Sequence, residues 1–153
     1  MFDIHRIIVP VDFNIHTETL ANFSINVARK FNGKITFIHV VKKLPDYSDY
    51  GPDTLSDLES NLLAHAEKRM ESFMKEMRKK YLECEGEILV GDAADAIVSC
   101  ARKTLADLVI ISTHGAQGVE KVLLGSVADR VIKGVSCPTM VFNPFKNEKV
   151  YEA

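Results

Sequence analysis

Ala106-Asp107-Leu108-Val109-Ile110-Ile111-Ser112 is the most hydrophobic run in the chain. A glycine-bearing stretch, Thr113-His114-Gly115-Ala116-Gln117-Gly118-Val119-Glu120-Lys121, follows it, and Gly125-Ser126-Val127 then opens a second periodic segment that ends near Lys133-Gly134. A short apolar run bounded by polar residues reads as a strand buried on both faces. The segment near 125–133 reads as a helix, with Gly134 as its cap. Strand, glycine loop and helix are successive parts of an α/β unit.

Reading outward, the same alternation recurs. On the N-terminal side, Arg6-Ile7-Ile8-Val9-Pro10-Val11-Asp12 reads as a buried strand. Thr17 to Phe31 places Leu20, Ala21, Ser24, Val27, Ala28 and Phe31 at helical spacing, and Asn32-Gly33 is expected to close that helix through a left-handed glycine. Lys34 to Val41 is a second strand, and Lys42 to Pro52, with two prolines, a glycine and two tyrosines, a surface loop. Thr54 to Tyr81 is a long helix: Thr54 and Asp57 resemble a capping box, and Leu55, Leu58, Leu62, Ala66, Phe73, Met77 and Tyr81 form an apolar stripe expected to face the core. Glu87 to Val90 is a third strand, and Asp92 is the expected N-cap of a helix whose Ile97, Cys100, Ala101 and Leu105 point inward. Pro138 to Asn143 is a fifth strand, followed by a polar tail running from Phe145 to Ala153. Strands alternating with helices imply a doubly wound α/β domain, a parallel sheet with helices on both faces.

Composition narrows the function. The 153 residues are 46% hydrophobic and 26% charged, as expected of a globular chain, and the formal net charge of −2 lacks the basic excess of a nucleic-acid binder. The apolar runs are far too short to span a bilayer, and the first residues lack the pattern of a signal peptide. Cys84, Cys100 and Cys137 form no C-x-x-C pair and read as reduced thiols, mostly buried.

In an open α/β sheet, ligands bind beyond the carboxyl ends of the strands. The strand ends here offer Asp12, His39 to Val41, Gly91-Asp92, and Ser112 to Gly118. The glycine loop before Gly125-Ser126 suits an anion, because free N–H groups and the dipole at a helix N-terminus favour phosphate. The Ser126 hydroxyl either adds a bond to that anion or caps its own helix, and on these residues alone the two readings stand level. A P-loop is absent, since Glu120 occupies the place of its second glycine; G-x-G-x-x-G, G-x-S-x-G and H-E-x-x-H are absent too. A receiver domain would want clustered acids after the first strand, where Asp12 stands alone. His114 reads as a hydrogen-bonding or exposed loop residue rather than a metal ligand, His39 as a strand-end packing residue, and Lys121 as a solvated lysine.

Taken together, the motifs resemble the universal stress protein family. Its nucleotide signature is Gly, two residues, Gly, nine residues, then Gly followed by Ser or Thr; Gly115, Ala116 to Leu124 and Gly125-Ser126 match the second half, and Ser112 replaces the first glycine. Ile8-Val9-Pro10-Val11-Asp12, Phe37-Ile38-His39-Val40-Val41, Gly91-Asp92-Ala93 and Cys137-Pro138-Thr139-Met140-Val141-Phe142 resemble other family segments, in the family's order. The resemblance implies a five-stranded parallel sheet ordered 3-2-1-4-5 and a nucleotide between strands one and four. It implies Pro10, Val11, Asp12 and Val40 at the adenine end, Ile111 and Ser112 near the ribose, and Gly115, Gly125, Ser126 and Val127 near the phosphates. It further implies ATP or AMP as the ligand, with a divalent metal bridging the phosphates as an option, and a homodimer through the fifth strand. The expected domain covers 1–145, with 146–153 as the polar tail. No nucleic acid or membrane partner is expected, and the place of action is the cytoplasm. No dedicated catalysis is expected, since phosphoryl transfer needs metal clamps and fixed cations that this loop offers sparsely. Weak ATP hydrolysis stays open, as does a dimeric adaptor that has lost the nucleotide, a reading that Ser112 sustains.

Overall fold

The computed structural model describes residues 2–45, 51–114, 124–146 and 153. Nine elements alternate along it: β1 (Arg6–Pro10), α1 (Thr17–Phe31), β2 (Lys34–Val41), α2 (Pro52–Lys80), β3 (Cys84–Val90), α3 (Ala93–Lys103), β4 (Leu108–Ser112), α4 (Ser126–Gly134) and β5 (Thr139–Phe142). They build a parallel sheet in the order β3-β2-β1-β4-β5. Winding runs outward from β1 through β2 to β3, then returns across the sheet to β4, which pairs with β1 through Ile7↔Leu108 and Ile8↔Val109. The switch point is therefore the β1–β4 junction.

The pleat distributes the apolar residues between two cores. Ile7, Val9, Ile35, Phe37, Leu108 and Ile110 point to one face, where Leu20, Ala21 and Ile25 of α1 and Met70, Met74 and Met77 of α2 cover them. Ile8, Ile38, Val109 and Ile111 point to the other, beneath Ile97, Cys100 and Ala101 of α3 and Ala128 and Val131 of α4. This two-sided burial is why the strands read as continuous hydrophobic runs. All three cysteines are free, and burial pushes each thiol above its ordinary pKa.

Several local expectations are corrected. The left-handed residue closing α1 is Asn32 (φ 54°), not Gly33. Gly33 is small for another reason: a Cβ there would lie 3.0 Å from Ile7 Cδ1 and 3.1 Å from the Ile4 carbonyl oxygen. α2 starts two residues early, with Gly51 as N-cap and Pro52 at the first turn and no side-chain cap, so Thr54 and Asp57 do not form a capping box. Leu58 and Leu62 do not face the core; they are 47% and 39% exposed, whereas Met70 and Met74, absent from the expected stripe, are buried. Gly134 is the last residue of α4 rather than its cap, which is the extended Val135. A Cβ at Gly134 would meet Val98 Cγ2 at 2.8 Å, so the glycine serves the packing of α3 on α4. Leu105, expected inside, is 67% exposed and left-handed, at φ 52°. β3 begins at Cys84 rather than Glu87, with Glu85 bonded to Lys34 and Thr36 of β2. Asp92 caps α3 as expected, accepting the Asp95 N–H at 3.0 Å.

Candidate functional site

Beyond the carboxyl ends of β1, β2 and β4 lies a cavity of about 420 Å³, within the range of small-molecule sites. Its lining includes Pro10, Val11 and Asp12 after β1, Val40 on β2, Ile111 and Ser112 on β4, and Gly125, Ser126 and Val127 at the start of α4. Nine of the ten expected site residues thus share one cavity, and the tenth, Gly115, lies outside the described residues. Sequence reasoning missed Asn14, His16 and Thr17, which line the cavity from the β1–α1 turn; Thr113 and His114, within the strand end Ser112 to Gly118, line it after β4.

The β1–α1 turn is built around Asp12. Its carboxylate accepts the Asn14 N–H and the Asn14 side-chain amide, each at 3.1 Å, and the Thr17 hydroxyl at 3.4 Å. Asp12 therefore caps the turn after its strand, and this role coexists with a place on the cavity wall. Asp-x-Asn after a strand was the sequence signal for this turn. Val11 is held on both sides: its N–H donates to the Ile38 carbonyl at 2.8 Å, and its carbonyl lies 2.8 Å from His39 Nδ1.

Across the cavity, β4 delivers Ser112, paired with Phe142 of β5. Positive φ among the described residues occurs at Phe13, Asn32, Leu105 and Gly91, and Ser112 is not one of them. Its hydroxyl accepts the His114 N–H at 3.4 Å, so the strand end tolerates a serine without backbone strain. Thr113 and His114 are buried, with the Thr113 hydroxyl 2.6 Å from His114 Nδ1. Phe145, which the sequence assigns to the polar tail, packs edge-on against His114 and His16 at centroid distances of 4.8 Å and 5.0 Å.

The two readings of Ser126 now separate. The N-cap of α4 is Gly125, so Ser126 stands inside the first turn and is not the capping residue. Gly125 is extended, at φ −67° and ψ 156°, and its N–H donates to the Thr113 carbonyl at 2.6 Å. A Cβ on Gly125 would stand 3.0 Å from that same carbonyl oxygen. The glycine is thus required by a close backbone approach that ties the end of β4 to the start of α4. N–H groups of the first turn of α4 have no intrahelical acceptor, and Ser126 to Ala128 line the cavity. Asp12 is the one acidic residue among the described lining residues, and none of them is Lys or Arg. An anion here would be met by backbone amides, hydroxyls and the helix dipole.

Comparison with known proteins agrees with this architecture. The model of the universal stress protein family matches residues 3–143. A universal stress protein of Methanocaldococcus jannaschii is 33% identical over 144 residues, covering 94% of this chain and 84% of that protein. In structure, the chain resembles the universal stress protein UspA of Lactobacillus plantarum with a TM-score of 0.81 at 22% identity, over 92% of this chain and 98% of that one. The universal stress protein of Archaeoglobus fulgidus in complex with dAMP superposes with a TM-score of 0.63 at 20% identity, covering 92% and 98%. A family member of Arabidopsis thaliana with AMP bound gives 0.64 at 19% identity, covering 91% of each chain. These structural likenesses speak to the fold; the family match over nearly the whole length, with the relative from M. jannaschii, places the chain itself in the universal stress protein family.

Proposed function

We propose that this chain binds ATP or a related adenine mononucleotide, such as AMP, and acts as a dimeric regulatory module of the stress-response type in the cytoplasm. The observation that carries the reading is the cavity at the switch point, lined by Pro10, Asp12 and Val40 and by the N-terminus of α4 at Gly125 to Val127. In this reading the adenine lies against Pro10, Val11, Asp12 and Val40, the ribose near Ile111 and Ser112, and the phosphates at Gly115, Gly125, Ser126 and Val127. Two structural relatives that carry AMP and dAMP support the ligand class. A divalent metal bridging the phosphates belongs to the ATP form of the proposal. The nucleotide-binding unit would cover 1–145.

For the dimer, the support is β5, an edge strand whose Met140 and Val141 are 36% and 46% exposed. An edge strand offers unpaired N–H and C=O groups to a second copy. Mass spectrometry of the natively purified protein for retained nucleotide, followed by calorimetry with AMP, ATP and GTP, tests the ligand. Adenine nucleotides are expected to bind more tightly than GTP, and equal affinities would refute the base assignment. Light scattering at micromolar concentration tests the dimer.

A further inference from the structure

We propose that Arg69, on α2 and outside the cavity, is a positioning residue that sets base discrimination by clamping the turn that carries Asp12. The inference rests on the nucleotide reading above and deepens it. The turn pivots on Phe13, whose φ of 59° is left-handed. Such an angle is an outlier for a bulky side chain and persists only where its surroundings hold it. The angle has a use: it folds the chain back so that the Asn14 N–H reaches the Asp12 carboxylate at 3.1 Å.

What holds Phe13 comes chiefly from α2. Arg69 Nη2 donates to the Phe13 carbonyl at 2.9 Å. The same guanidinium lies 4.9 Å from the centroid of the Phe13 ring. One planar cation therefore grips both the backbone and the side chain of the strained residue. Phe73, also on α2, meets the ring edge-on at 5.8 Å. The ring also packs against His39 at 4.7 Å, and His39 Nδ1 in turn lies 2.8 Å from the Val11 carbonyl. Phe13 thus contacts both the α2 clamp and the residue that anchors Val11. Arg69 itself is solvent-exposed and is not among the described residues that line the cavity, so its contact with a ligand runs through the turn.

A carboxylate accepts from the 6-amino group of adenine but not from the 6-oxo group of hypoxanthine. If Arg69 fixes where Asp12 sits, its loss should erode the preference for AMP over IMP, not just total affinity. Calorimetry with AMP and IMP on the unaltered protein and on Arg69→Ala, beside thermal unfolding of both, is the test. Expected are a loss of about tenfold in AMP affinity, with little change for IMP, from removing one charge-assisted bond and one cation–π contact. Asn adopts the left-handed region readily, so in a Phe13→Asn background the pivot no longer needs its clamp and Arg69→Ala should cost much less. Arg69→Gln keeps a planar amide donor without the cation and should fall between; it also serves if the alanine variant unfolds. Unchanged AMP affinity in Arg69→Ala, or equal weakening of AMP and IMP, overturns the assignment. An unaltered protein that binds neither nucleotide overturns the nucleotide reading and this assignment with it.

Discussion

Replacing Gly125 probes the joint between the end of β4 and the start of α4. The backbone at 125 is extended, at φ −67° and ψ 156°, so alanine or valine meets no conformational penalty there. The whole defect must come from contact. An added Cβ lies 3.0 Å from the Thr113 carbonyl oxygen, the oxygen that accepts the Gly125 N–H at 2.6 Å. An ordinary C···O contact is about 3.3–3.6 Å, so the carbonyl must retreat by roughly 0.3–0.6 Å. A hydrogen bond that starts at 2.6 Å stays within bonding range after either retreat, at about 2.9–3.2 Å. Alanine should therefore cost the displacement of the Thr113 carbonyl, about 1 kcal/mol at the low end of overpacking, or roughly fivefold in AMP affinity. Valine adds two methyl groups at the same spot and should cost about 1–3 kcal/mol as overpacking, removing most binding. This moves the obstruction from the phosphate space to the Thr113 carbonyl. Calorimetric titration with AMP, beside a thermal melt, measures both variants. Alanine binding as well as glycine would refute the close-approach argument, and a shared loss in alanine and valine of more than a hundredfold would return the side chain to the phosphate site.

Ser112→Gly should change AMP affinity by less than about tenfold, because the strand-end serine is unstrained and its hydroxyl only receives a 3.4 Å bond from the His114 N–H; binding that appears in this variant and not in the parent would favour the adaptor reading. Asp107→Asn tests the clamp at the other end of the sheet, where the Arg6 guanidinium and the N–H groups of His5 and Arg6 hold the Asp107 carboxyl at about 2. A depressed carboxylate pKa stabilises the fold above the ordinary value of 3.8, and that stability is lost as pH falls through about 2. Full conversion would give about 2.4 kcal/mol, which solvent around the half-exposed Arg6 reduces to about 1 kcal/mol; the variant should melt earlier at pH 7, with the gap closing between pH 4 and 2 in acid titrations. Leu105→Asn should stabilise the fold by about 0.5–1 kcal/mol, seen as a higher melting temperature, since Asn accepts a left-handed φ and the leucine is 67% exposed.

The sheet was legible because burial on both faces leaves apolar runs with abrupt polar ends, and its strand order came from family likeness and not from periodicity. The glycines were legible only as punctuation. Gly33, Gly125 and Gly134 turn out to be shaped by neighbours that are distant in sequence or across a loop, namely Ile7, Thr113 and Val98, which no local rule weighs. The site was legible where a strand end carries a polar residue, as at Asp12 and Ser112. His16 and Thr17 were missed because their places depend on how the β1–α1 turn folds over the strand ends. Arg69 was missed because its partner, Phe13, is 56 residues away. The start of β3 was placed at Glu87 because Cys84-Glu85-Gly86 has no apolar pattern of its own; Lys34 and Thr36 of β2 beside Glu85 extend the strand to Cys84.

The length of α2 has a further consequence. Its 29 residues extend for about 44 Å, while the seven residues of β3 cover only about 23 Å, so the helix outruns the sheet it packs on. From Ala66 onward it is anchored by buried methionines, but its first turns carry Leu58 and Leu62 into solvent. One continuous helix therefore spans two regimes of amide exchange. Protons near Met70 and Met74 can leave only when the core opens, whereas those before Leu62 need only the helix end to unwind. Deuterium uptake along α2 should rise in a step near Ala66, and any partner that settles on the overhang would announce itself by erasing that step.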